Sequence, residues 1–140
     1  MLHLIKLCVG VTDLPQLAAS QAARLAAGQG LRHRTRNFPR RAAEILDGGS
    51  LYWIIAGVLS ARQRITDIVE DHRDDGSRCA ALLLDPQLVP LVGRRTKPFQ
   101  GWRYLAAADA PPDLSAAGAA LGIDALPPQM LRELRALGLL

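Results

Sequence analysis

Ser50-Leu51-Tyr52-Trp53-Ile54-Ile55-Ala56-Gly57-Val58-Leu59-Ser60-Ala61-Arg62-Gln63-Arg64-Ile65-Thr66-Asp67-Ile68 carries the strongest β signal in the chain. Aromatic and β-branched residues fill its first half, as a pleated, half-buried surface prefers, and Gly57 interrupts the run. The pattern predicts one long bent strand, or two strands joined at a bulge. Side chains alternate across a strand, so Trp53 shares a face with Leu51 and Ile55 and belongs to the core. Tyr52 faces the other way, toward a cleft or a rim where its hydroxyl finds a partner. Further on, Asp71–Gly76 has turn chemistry and Cys79–Leu84 reads as another apolar strand. A hairpin follows, with Glu70, Asp71, Asp74 and Asp75 crowded at its tip.

Upstream, Leu2–Val9 reads as a first strand. Thr12 or Asp13 caps a helix with Pro15 in its first turn; Leu14, Leu17, Ala18, Gln21 and Leu25 recur at helical spacing, and Gly28 ends it. Leu31–Phe38 is extended, which sets Arg32, Arg34 and Arg36 on one side as a basic stripe. Pro39–Leu46 forms a short helix that Asp47-Gly48-Gly49 terminates. Downstream of the hairpin, Pro86–Leu91 has room for no more than a turn of helix, and a basic loop leads into a last strand at Trp102–Leu105. Pro111-Pro112 breaks the chain before a small-residue stretch, Leu114–Ile123, and a helix over Pro128–Leu137 with Met130, Leu131, Leu134 and Leu137 on one face. The expectation is a single α+β domain over residues 1–140. Residues 1–109 form its body with flanking helices, and 110–140 add a C-terminal helical extension too small to fold alone.

Hydrophobic residues make up 49% and charged residues 21% of the 140, a balance that argues against intrinsic disorder. The apolar N-terminal stretch is short and interrupted by His3 and Lys6, so it suits neither a secretory core nor a membrane span; a cytoplasmic protein with no membrane partner is expected. Cys8 and Cys79 have neither metal-ligand nor redox spacing and are expected to be reduced and buried. No metal or cofactor is expected.

The net charge of +4 is modest, so its distribution matters more than its sum. Nine of the seventeen Lys and Arg fall in two acid-free stretches: Arg32, Arg34, Arg36, Arg40 and Arg41, then Arg94, Arg95, Lys97 and Arg103. Each stretch has two readings, a solvated face whose arginines pair with Glu44, Asp47 and the acidic hairpin tip, or a phosphate-binding surface. Arg62 and Arg64 repeat the alternation on the long strand, so five guanidiniums line one groove if the two strands adjoin. Half of the chain's Phe, Trp and Tyr lie in Phe99–Tyr104, beside those second cations. Cations beside flat rings suit an anionic, stackable ligand. Alternation places Trp102 and Tyr104 on one side and Arg103 on the other, so part of this segment packs while Phe99 or Trp102 offers a ring.

His3-Leu4-Ile5-Lys6-Leu7-Cys8-Val9-Gly10, Asp47-Gly48-Gly49-Ser50-Leu51-Tyr52-Trp53 and Phe99-Gln100-Gly101-Trp102-Arg103-Tyr104-Leu105 resemble the signature of an alphaproteobacterial domain-of-unknown-function family, number 1489. The order of elements is more remotely similar to the PUA-like barrels, especially their ASCH and EVE branches. That resemblance implies a small mixed β-barrel with flanking helices that binds RNA or modified bases in a cleft.

Enzyme motifs are not apparent, and catalysis is left open rather than expected. Asp47-Gly48-Gly49-Ser50 lacks the lysine and spacing of a phosphate-cradling loop, and there is no Gly-x-Ser-x-Gly elbow. His72 among its acidic neighbours reads as a polar turn rather than a cation site. His33, between Arg32 and Arg34, has its pKa lowered by like charges and so suits a neutral imidazole. The function expected is a nucleic-acid-binding module for RNA or a modified nucleobase, with Arg32, Arg34, Arg36, Arg62 and Arg64 on phosphates and Tyr52, Trp102 and Phe99 stacking. Two alternatives remain open: an enzyme or small-ligand binder that clamps a nucleotide or other anion with Arg94, Arg95 and Arg103, and a protein-interaction module docking through its C-terminal helix.

Overall fold

A computed structural model describes residues 1–97 and 99–114. In chain order these form β1 (Leu2–Leu7), α1 (Leu14–Ala26), β2 (Arg32–Thr35), α2 (Ala42–Leu46), β3 (Ser50–Ile55), β4 (Val58–His72), β5 (Arg78–Leu84), β6 (Val89–Arg95) and β7 (Trp102–Ala106). The α+β class follows the expectation. The helix over Pro128–Leu137, and with it most of the extension expected over 110–140, lies outside the described residues.

The Ser50–Ile68 run is two strands, and their junction is a tight turn rather than a bulge. Ala56 and Gly57 both have positive φ, 49° and 78°, the combination that lets a two-residue type I′ turn match the twist of a hairpin. Ile55 therefore pairs directly with Val58. The register shifts lie elsewhere, between Trp53 and Ile54, between Leu59 and Ala61, and between Ile65 and Asp67. Extra residues of this kind bend a strand. The first half of β4 accordingly pairs β3 on one edge and β6 on the other, whereas its second half pairs β5.

The seven strands form one mixed sheet in the order β2-β5-β4-β3-β1-β7, with β6 also on β4. β1 lies parallel to β3 and antiparallel to β7. The expected hairpin over the acidic loop is present, with His72 opposite Arg78. Pro86–Leu91 departs from expectation: Val89 onward is strand β6, not a helical turn. Its Pro90 sits opposite Ala61, at the shift in the β4 ladder, where a missing N–H is tolerated.

Both faces of the sheet are covered. One packs Leu4, Leu51, Trp53, Ile55, Ile65 and Leu82 against Leu14 and Leu17 of α1 and Ile45 of α2. The other packs Ile5, Tyr52, Ile54, Leu59, Leu91 and Leu105. Asp13 caps α1 by accepting a 2.8 Å hydrogen bond from the Gln16 backbone, Pro15 lies in the first turn, and Gly28 beyond its end has φ 75°. Leu14, Leu17 and Gln21 face inward as their spacing predicts, but Leu25 is exposed.

Candidate functional site

A cleft of about 390 Å³ opens between α1 and the end of the sheet where β1 finishes. Its volume lies in the range of small-ligand sites. The end of β1 contributes Lys6 and Cys8, α1 contributes Ser20, Gln21 and Arg24, β2 contributes Arg32 and His33, and Trp53 of β3 forms part of the wall. No carboxylate lines the cleft among the described residues, and neither Lys6 nor Arg24 has an ion-pair partner among them.

A polar cluster fixes the wall. Gln63, fully buried on β4, exchanges two hydrogen bonds with Gln21 of α1, at 2.8 and 2.7 Å. Its Oε1 also accepts from Trp53 Nε1 at 2.9 Å, and its Nε2 donates to the Asp85 carbonyl at 3.1 Å. The amide thus uses both donors and both acceptor positions. These bonds tie α1 to the sheet and hold the indole in one orientation.

The His33 ring meets Trp53 edge to face, with centroids 5.2 Å apart. Burial, with Lys6 and Arg24 adding to it, pushes the His33 pKa down to about 4. The imidazole is therefore neutral at pH 7, as expected, but for a different reason: burial dominates, and the cations that add to it are Lys6 and Arg24 rather than Arg32 and Arg34. His33 Nε2 is buried without a hydrogen-bond partner. Cys8 is half-buried at the cleft rather than enclosed, and burial raises its pKa against the opposing effect of Lys6, which keeps it a thiol near neutrality. A cationic rim, a neutral imidazole and an indole make a site suited to holding an anion and a flat ring. Neither an activated thiolate nor a carboxylate base is present among its described residues.

The residues singled out from sequence do not converge on one cleft. Arg32 and Arg34 both bond Asp71, at 2.9 and 3.1 Å, and Arg34 also approaches Asp74 at 3.9 Å. These two arginines follow the paired-surface reading. Their partner Asp71 is held down to about pKa 2 by the His72 backbone N–H and the two guanidiniums. Arg32 still reaches the cleft rim. Arg36 lies in a separate open hollow with Phe38, Glu70 and Arg78. The groove of five guanidiniums does not form, because β5 lies between β2 and β4.

Arg62 makes a two-pronged pair with Asp113, both contacts 2.8 Å, and donates to Ser50 Oγ at 3.1 Å. It shares a shallow hollow with Tyr52 and His3 on the other face of the sheet. Tyr52 is only 4% exposed because β3 is covered on both sides. Trp53 is 5% exposed and, as expected, in the core, though it also forms cleft wall. Arg64 is exposed on β4. Phe99 packs on the Tyr52 side beneath Arg103, whose guanidinium lies 4.3 Å from the ring centre, and Arg94 donates to the Asp109 carbonyl. Trp102 packs against the opposite core, so Tyr52 and Trp102 cannot hold one base between them. Trp102 and Tyr104 do share a face, 5.1 Å apart.

Lys6, Cys8 and Arg24 were not legible as site residues, since each is a single polar side chain on an otherwise ordinary element. Gln63 left a clue: it falls between Ala61 and Ile65 on the buried alternation of β4, where a polar residue needs partners.

A family model described as a protein of unknown function (DUF1489) matches residues 4–140. The chain belongs to that family. The resemblance carried by His3–Gly10, Asp47–Trp53 and Phe99–Leu105 is thereby borne out. No curated protein matches this DUF1489 chain. Among solved structures it is similar to a mutant form of an ASCH protein from Zymomonas mobilis, with a TM-score of 0.48 and 11% identity over 85% of this chain and 95% of that one. Among the described residues no helix is long and apolar enough to cross a membrane, and no cluster of three His, Cys, Asp or Glu is arranged to hold a metal ion.

Proposed function

We propose that the cleft beside α1 binds RNA through one nucleotide unit, with Lys6 and Arg24 taking phosphate and the His33–Trp53 wall taking the base. The observation that supports this reading is the combination in one cleft of two cations without an ion pair among the described residues, no lining carboxylate and a neutral imidazole against an indole. Cations distributed around a groove supply salt-dependent affinity for a phosphate backbone, and unstacked bases are held on flat side chains and by hydrogen bonds to their edges. His33 is only partly buried and lines the cleft, so part of its ring is open to a ligand although Nε2 itself is enclosed. The cleft, rather than the arginine stripe of β2, carries the reading, because Arg32 and Arg34 already share Asp71.

Titration of labelled hexauridylate at several salt concentrations tests it. Replacing both Lys6 and Arg24 by Ala should weaken binding and lower the salt slope by about 0.7 for each phosphate that is no longer neutralised. Wild-type affinity and slope in that double variant would refute the assignment.

A further inference from the structure

The strand register connects the cleft to the aromatic segment at the far edge of the sheet. Lys6, at the cleft rim, stands directly opposite Trp102, and Leu4 stands opposite Tyr104. Residues paired across an antiparallel ladder have Cα atoms about 4.5–5.5 Å apart and point to the same face. Lys6, Trp102 and Tyr104 therefore follow one another along a single face. Among the described residues β7 is an edge strand paired only with β1, and Tyr104 is 37% exposed although its neighbour Leu105 is buried on the other face. A second cation closes the row. The Arg41 guanidinium lies 5.5 Å from the Tyr104 ring centre, and its backbone N–H donates to the Tyr104 hydroxyl at 3.2 Å.

We propose that Trp102 and Tyr104 form a second base subsite continuous with the cleft, so that the ligand is a single-stranded RNA segment rather than a free base or mononucleotide. This rests on the cleft reading above. Charge complementarity selects the occupant: two rings lie between Lys6 on one side and Arg41 on the other, the alternation of flat surface and cation that tracks a single strand. Arg41 is tied to Glu44 by an ion pair one helical turn away, but its side chain is half exposed, and such a surface pair is weak enough for a phosphate to recruit the guanidinium. A base laid on Tyr104 beside Trp102 then has its phosphates between Lys6 and Arg41.

Parallel titrations of uridine monophosphate and hexauridylate separate the two subsites. Wild-type protein should bind the hexamer at least roughly 10-fold more tightly than the mononucleotide, and Tyr104→Ala should remove roughly 10-fold of hexamer affinity while leaving the mononucleotide unchanged. Tyr104→Phe, which keeps the ring, should retain hexamer affinity. If both probes bind and Tyr104→Ala alters neither, the second subsite is wrong and the cleft reading stands. If neither probe binds, both readings fall. A dimer in sedimentation that Tyr104→Ala converts to monomer would assign the face to a second copy of the chain and overturn the RNA subsite.

Discussion

Replacing Gln63 by Leu should be among the most damaging single changes available on the sheet, and its cost can be assembled from the bonds it breaks. The substitution leaves the Trp53 indole N–H, the Asp85 carbonyl and both ends of the Gln21 amide without their present partners. An unsatisfied buried polar group costs about 1–3 kcal/mol, and Gln21 and Trp53 border the cleft, where water can reach part of the loss. The expected loss is about 4 kcal/mol, a large share of the ~5–15 kcal/mol that stabilises a domain. Gln21→Leu alone should cost about 2 kcal/mol, since Gln63 keeps Trp53 and Asp85 as partners. The informative measurement is the double variant. With both amides gone, only the indole N–H and one carbonyl remain unpaired, so the pair should cost about 2–3 kcal/mol rather than the sum of the singles. Urea denaturation followed by far-UV circular dichroism at pH 7 gives all three values. Strict additivity would show that the Gln21–Gln63 exchange does not couple α1 to the sheet.

Acid should destabilise the fold through His33 before it reaches the carboxylates. The folded pKa is depressed to about 4 from 6.5, so the unfolded chain takes up the proton first; the contribution is complete above pH 6.5 and lost as pH falls toward 4. Its full size is about 3 kcal/mol, with the lowered pKa of buried His3 adding in the same direction. Stability measured from pH 7 to 4 should fall less steeply in His33→Phe, and an identical slope would remove His33 as the cause. Gly49→Ala should cost more than about 2 kcal/mol, because a Cβ there runs into the backbone carbonyls of Leu2 and Ile45, neither of which can swing aside. An unchanged urea midpoint would contradict that packing.

The elements legible from sequence were those whose evidence is local. α1 has its cap, its proline and its terminating glycine, and the β4–β5 hairpin has strong alternation on either side of a turn-rich loop. Features set by strand partners were not legible. Val89–Arg95 joins a ladder despite Pro90 because the β4 register shifts opposite it, and nothing near Pro90 reports that. The cleft was missed for a similar reason: Lys6, Arg24, His33 and Trp53 come from four elements and form no linear motif. The basic stripe was read with the correct alternation, but whether its charge is available depended on Asp71, thirty-seven residues beyond Arg34.

β1 also has a consequence for the order in which this protein can assemble. Leu4 pairs with Leu51 on one side and Tyr104 on the other, so the earliest strand in the chain occupies an interior place that is completed by one of the last. Such distant pairing makes loop closure costly and folding slow relative to helical proteins of similar size. On the ribosome, β1 must wait with one hydrogen-bonding edge unfilled until Trp102–Ala106 emerges. Until then an exposed edge is open to pairing with other chains, which makes the interval before β7 docks the period of greatest aggregation hazard.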